Sequence, residues 1–228
     1  MLAGDVLQQL ESVGKEQYRK IYARHGVKGA QFGVSTADIK AIQKKIKRDH
    51  ALAIELWDSG NYDARVLATL IADPAQVTGE LADRWVRDLD NYTLTGYVAD
   101  LIAKTPMIRE KMEAWIQSEE EWIGRAGWTL LAVMAAEDQS LPDSYFEPYL
   151  ADAEGRIHTA KNRIRDAMNN AIINIGLRSE GLRQKAYAAA ERIGEIDVDH
   201  GDTACETPNA IAYIEKTLAY REKKKQKA

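Results

Sequence analysis

Apolar residues recur at helical spacing along almost the whole chain, and no Val/Ile/Thr run alternates between turn signals as a half-buried strand would. That periodicity confines the chain to an all-α fold. Between Ser35 and Arg48, Ile39, Ile42 and Ile46 fall at i, i+3 and i+7, and Ser35 with Asp38 resembles a capping box. His50 to Asp58 carries Leu52, Ile54, Leu56 and Trp57. Asn61 can cap the next helix, in which Val66, Leu67, Leu70 and Ile71 make one stripe, and Asp73-Pro74 ends it. Further helices are predicted over Thr78–Leu89, Tyr92–Lys104, Pro106–Gln117, Glu119–Ala136, Pro142–Leu150, His158–Ile175, Glu180–Ile193 and Pro208–Ala219.

About a dozen short helices with short connections predict an α-α superhelix, a solenoid of about five or six helix pairs with a concave surface lined by the second helix of each pair. No exact repeat is visible, but Trp57, Trp85 and Trp115 are spaced 28 and 30 residues apart. No linker composition interrupts the 228 residues, so residues 1–220 are expected to form one repeat domain and 221–228 a charged, frayed tail.

The formal charge of −4 argues against a protein wholly devoted to polyanions, although a local basic face is enough for DNA. A single cysteine, Cys205, excludes an internal disulfide and any zinc site needing two thiolates. Asp199–Pro208 gathers His200, Asp202, Cys205 and Glu206, but the spacing fits no zinc pattern, so no metal or cofactor is expected. Thr207-Pro208 reads as the cap and first residue of the last helix. The segment Met1–Leu10 lacks a basic region followed by an apolar one, and no apolar run is long enough to span a bilayer. The expected location is the cytoplasm, with no membrane partner.

The segment Leu52–Pro74 (LAIELWDSGNYDARVLATLIADP) resembles the DNA alkylation repair family of alkylpurine DNA glycosylases. The likeness continues through Trp85, Leu89 and Trp115, then EEWIGRAGW around Arg125-Ala126, and resumes at Arg165–Gly176 (RDAMNNAIINIG). The resemblance implies HEAT-like repeats and binding of duplex, and in particular damaged, DNA. It also implies an N-glycosylase whose catalytic residues are a Trp and, four residues later, an Asp. Those positions hold Tyr92 and Gly96 here, and the family's late active-site Trp falls on Asn170, while the family Arg survives as Arg125. Cleavage of an alkylated purine builds positive charge on the sugar, which a carboxylate and aromatic faces stabilise. Tyr92 retains a π face; Gly96 offers no carboxylate. Asp100 lies one turn further on, about 6 Å away at a 1.5 Å rise per residue, and Asp90 on the other side. Excision is therefore expected to be very slow or absent, with Tyr92 and Asp100 the remaining catalytic candidates.

Arg156, His158, Lys161, Arg163 and Arg165 form the densest basic stretch and read as a phosphate-contacting ridge, with Lys161 and Arg165 on one face. Arg125, Lys161 and Arg165 are expected to face one concave surface. Trp122 and Trp128 flank Arg125 at helical spacing and can stack on bases, or serve as wedges between helix pairs. Asn170 and Asn174 share a face and can bond a ligand or tie helices together. Lys40, Lys44 and Lys47 line the polar side of their helix, a solvated face with contact to the DNA backbone as the alternative. The DNA-binding candidates are thus Arg125, Trp128, Lys161, Arg163, Arg165 and Asn170. The alternative function is a non-catalytic scaffold whose concave face holds another protein.

Overall fold

A computed structural model describes residues 1–226 of the chain. Among them are thirteen α-helices, two 3-10 turns and no strand. The first unit, Met1–Lys111 with His200–Ala204, contains α1 (Ala3–Val13), α2 (Glu16–Arg24), α3 (Thr36–Ile46), α4 (His50–Asp58), α5 (Tyr62–Ile71), α6 (Gly79–Arg87) and α7 (Tyr92–Ile102). The second, beginning at Met112, contains the second half of α8 (Ile108–Trp115), then α9 (Glu121–Glu137), α10 (Glu147–Arg156), α11 (Asn162–Arg178), α12 (Glu180–Ile193) and α13 (Ala210–Lys225).

The caps predicted at Ser35 and Asn61 form. Ser35 Oγ accepts from Asp38 N at 3.1 Å and donates to the Asp38 carboxylate at 2.7 Å. Asn61 caps α5, Thr78 caps α6 and Asn91 caps α7, each accepting an orphan N–H of its first turn. Four expectations are corrected. Helices α1 and α2 were not marked by the periodicity, because α2 has no buried residue at all. A 3-10 turn at Asp143–Tyr145 precedes α10, which continues to Arg156. The last helix is capped by Asn209, whose side chain accepts from Ala212 N, not by Thr207. It also runs to Lys225, so most of the expected frayed tail is helical, while Lys227 lies outside the described residues.

In the first unit, Trp57 and Trp85 stack face to face, with ring centroids 4.2 Å apart and planes 6° from parallel. Each buries about 200 Å² of ring surface, on the order of 5 kcal/mol of transfer free energy. Trp57 Nε1 donates to Asp88 at 2.8 Å. Arg65 lies over the Trp57 ring at 5.1 Å and donates to the carbonyls of Trp57 and Asp88. The first of the two tryptophan spacings, 28 residues from Trp57 to Trp85, is thus a stack joining α4 to α6, in which Trp115 takes no part. Asp63, fully buried, receives the backbone N–H groups of Phe32, Gly33 and Val34 at 2.6, 3.0 and 2.9 Å. Burial raises its carboxyl pKa more than those three donors lower it.

In the second unit α9 and α11 form the central pair. Gly127 lets α9 pass against the backbone of Trp115 and Ile116, where any side chain would collide. Gly176, which closes the Ile-Gly motif of α11, leaves room for the Ile214 side chain of α13, whose Cδ1 lies 2.6 Å from where a Cβ would stand. Arg178 ends α11 with its side chain only 4% exposed. It donates to the carbonyls of Ala135, Asp138 and Leu141 and to the Asp143 carboxylate, and lies 4.6 Å over the Phe146 ring. A buried guanidinium thereby closes the C-terminal end of α9.

Candidate nucleic-acid interface

The basic stretch around the start of α11 divides once its partners are known. Arg125 Nη1, on α9, lies 2.6 Å from the Asp166 carboxylate and donates to the Arg163 carbonyl at 2.9 Å. The two side chains are 12% and 14% exposed. Arg125 is therefore a strut between α9 and α11 whose charge is matched within the unit. Glu121 supports the same junction by accepting from Arg163 N at 2.7 Å. Trp128 is fully buried, so it is a core wedge and leaves the DNA-binding set.

Lys161 precedes the first turn of α11, half exposed and 3.9 Å from Glu120. Arg165 donates to the Asp197 carbonyl at 2.7 Å, and nearby Asn162 exchanges two bonds with the Asp199 backbone. Lys161 reaches towards Glu120 at the start of α9, whereas Arg165 and Asn162 brace the segment that leaves α12. At 3.6 residues per turn, Arg163 and Asn170 stand roughly half a turn away from Arg165, at i and i+7. Asn170 is exposed, and Asn174 one turn on donates to its carbonyl at 2.8 Å. Asn169, by contrast, is buried and donates to Pro208, tying α11 to the chain entering α13. Of the six sequence candidates, Trp128 is a buried wedge, Arg125 a paired strut and Arg165 a brace, while Lys161 is half exposed before α11 and Arg163, half-buried, lies seven residues before exposed Asn170 on α11.

In the first unit, Tyr92 is the first residue of α7, and its hydroxyl bonds His25 Nδ1 at the end of α2. The rings meet edge to face with centroids 5.9 Å apart. Sequence reasoning missed His25: it is a lone histidine at the end of a helix without a hydrophobic stripe. Gly96 lies on the same side of α7, four residues on, and a Cβ added there would meet nothing within 4 Å. Asp100 is exposed on the same helix, and exposed Asp90 accepts from the Asn91 side chain at 2.8 Å. With no steric reason for glycine in mid-helix, Gly96→Ala is expected to stabilise the protein by about 0.5–1 kcal/mol. A thermal unfolding midpoint raised by about 2 °C is the check.

Among the described residues no group of three or more His, Cys, Asp and Glu side chains is placed to hold a metal ion. No helix among them is long and apolar enough to cross a membrane.

Short helices packed in succession, with no strand among the described residues, define a helical-repeat protein. The chain belongs to the DNA alkylation repair enzyme family, which it matches over residues 6–227. It is 31% identical to an uncharacterized protein of Listeria innocua over 214 residues, 91% of this chain and 93% of that one. It is 30% identical to an uncharacterized protein of Listeria monocytogenes, with the same coverage. A solved structure representing a new family of proteins related to the HEAT-like repeat DNA glycosylases, with affinity for branched DNA structures, aligns with a TM-score of 0.88 at 32% identity. The alignment covers 96% of this chain and 95% of that one. The fold is accordingly a HEAT-like repeat fold.

Proposed function

We propose that the protein is a DNA-binding member of the repair family that recognises branched DNA in preference to linear duplex and does not excise bases. The observation that supports the reading is the face of α11 that carries Arg163 and Asn170 at i and i+7, on which Asn170 is exposed. An arginine supplies the fork that matches a phosphate, and an exposed amide adds hydrogen bonds to sugar, phosphate or an unpaired base. The affinity for branched DNA of the similarly folded family supports the choice of ligand. Loss of the family's carboxylate at Gly96 supports binding without excision.

The test is a gel shift with a four-way junction and a linear duplex of the same length, run over a range of salt. The parent is expected to hold the junction more tightly. Arg163→Ala is expected to weaken binding about five- to tenfold near 0.1 M salt and to lower the magnitude of the salt slope by about one. Arg165→Ala, on the bracing side, is expected to leave the slope unchanged. Equal slopes for the parent and Arg163→Ala would remove this face from the interface.

A further inference from the structure

Where α3, α5 and α7 end, the first unit carries a pocket of about 430 Å³ that is open to solvent, with Lys47, Arg48 and Lys104 exposed at its rim. Its wall includes Lys47, Arg48 and Lys104, with Gln43 and Thr69 as polar groups and Leu101 among the apolar ones. That volume suits a nucleotide-sized ligand. Arg48 is 3.5 Å from Asp73, whereas Lys47 and Lys104 have no carboxylate within ion-pair distance among the described residues.

Lys47 stands at the end of α3 with φ 67° and ψ −107°, the one non-glycine residue of positive φ among the described residues. This region disfavours a residue with a Cβ, and the chain uses glycine at its other positive-φ positions. A lysine therefore occupies a conformation that suits glycine, on the wall of a pocket with two further cations. Strained backbone of this kind gathers at ligand sites. Helix C-termini carry partial negative charge, which by itself attracts cations. That attraction does not select Lys47, because α3 already places Lys44 and Lys45 in its last turn. The Ile71 carbonyl at the end of α5 is also satisfied by Asp49 N at 2.9 Å.

We infer that this pocket is a phosphate-binding site, taking either a backbone phosphate of nucleic acid or the phosphate of a free nucleotide. Lys47 and Lys104 supply the unshared charges, and the apolar wall receives the attached sugar or base. The inference stands apart from the α11 surface and concerns the other unit, so either can fail alone.

The test uses the full ¹⁵N-labelled chain titrated separately with inorganic pyrophosphate and with a short DNA duplex. Shifts at the Lys47, Arg48 and Lys104 amides with pyrophosphate would assign a free phosphate ligand. Shifts there with duplex alone would assign the nucleic-acid backbone. Lys47→Gly is expected to weaken the effective probe about five- to tenfold near 0.1 M salt while raising the unfolding midpoint by about 2–5 °C. Lys104→Ala is expected to weaken the same probe without the thermal gain. Amides that move with neither probe would overturn the site. So would a Lys47→Gly variant that binds as the parent does, or one that melts earlier, since a residue serving only the fold would behave that way.

Discussion

Asp63→Ala is expected to be among the most damaging single changes to the first unit, at about 3–5 kcal/mol. The carboxylate is fully buried and receives three backbone N–H groups from Phe32, Gly33 and Val34. Truncation leaves those donors without a partner in a place where water cannot readily follow, and each unsatisfied buried donor costs about 1–3 kcal/mol. Gly33 has φ 77°, and a Cβ built there would lie 2.5 Å from the Lys15 carbonyl. The segment has little room to move towards other acceptors. The unfolding midpoint is expected to fall by about 10 °C. Asp63→Asn is expected to lose less, because its single carbonyl still accepts while its amide turns a donor towards donors. A variant that melts within 2 °C of the parent would show that the 32–34 segment is not held by this carboxylate.

The same residue explains why the fold was legible. The Leu52–Pro74 motif that carried the family resemblance is a run of fold-holding devices. Asn61 caps α5, Asp63 holds the preceding loop, Arg65 covers Trp57, and Trp57 stacks on Trp85. Each acts locally or across one helix pair, so each leaves a mark in a short stretch of sequence. Helices α1 and α2 escaped because a helix resting on the edge of a unit buries too little to show a stripe; α1 buries only Val6 and Leu10.

The candidate interface was legible only as composition. The basic stretch from Arg156 to Arg165 was visible, but its partners lie far along the chain, and partners decide which charges are available. Arg125 finds Asp166 across 41 residues, and Arg165 finds the Asp197 carbonyl across 32. Spacing on one helix could place Lys161 beside Arg165 and Arg163 beside Asn170. It had no means of telling that Arg165 braces another segment, or that Trp128 is sealed in the core. The Tyr92–His25 pair, 67 residues apart, was hidden for the same reason.

The unmodified protein is expected to release no methylated purine from duplex DNA above the spontaneous rate, and Gly96→Asp to raise release at least tenfold. The family resemblance assigns the stabilising carboxylate's position to Gly96, and losing a preorganised electrostatic stabiliser commonly costs about a hundred- to a thousandfold. The hydroxyl of Tyr92 bonds His25, which fixes the ring at the start of α7. The space beside Gly96 is open, so an aspartate can enter without displacing a neighbour, one helical turn from Tyr92. Recovery is expected to stop short of a full enzyme, because the resemblance also assigns one of the family's aromatic positions to Asn170. Gly96→Ala serves as the control: it shares the helix-stabilising loss of glycine but adds no charge, and should release nothing. The measurement is the free methylpurine liberated from duplex DNA carrying a cationic methylated base, with each variant's binding to the same DNA measured alongside. Release by the unmodified protein would overturn the expectation and turn attention to Asp100 and Asp90, whose asparagine variants would identify the substitute carboxylate. Intact binding with no release from either the parent or Gly96→Asp would mean that more than one missing carboxylate separates this chain from a glycosylase.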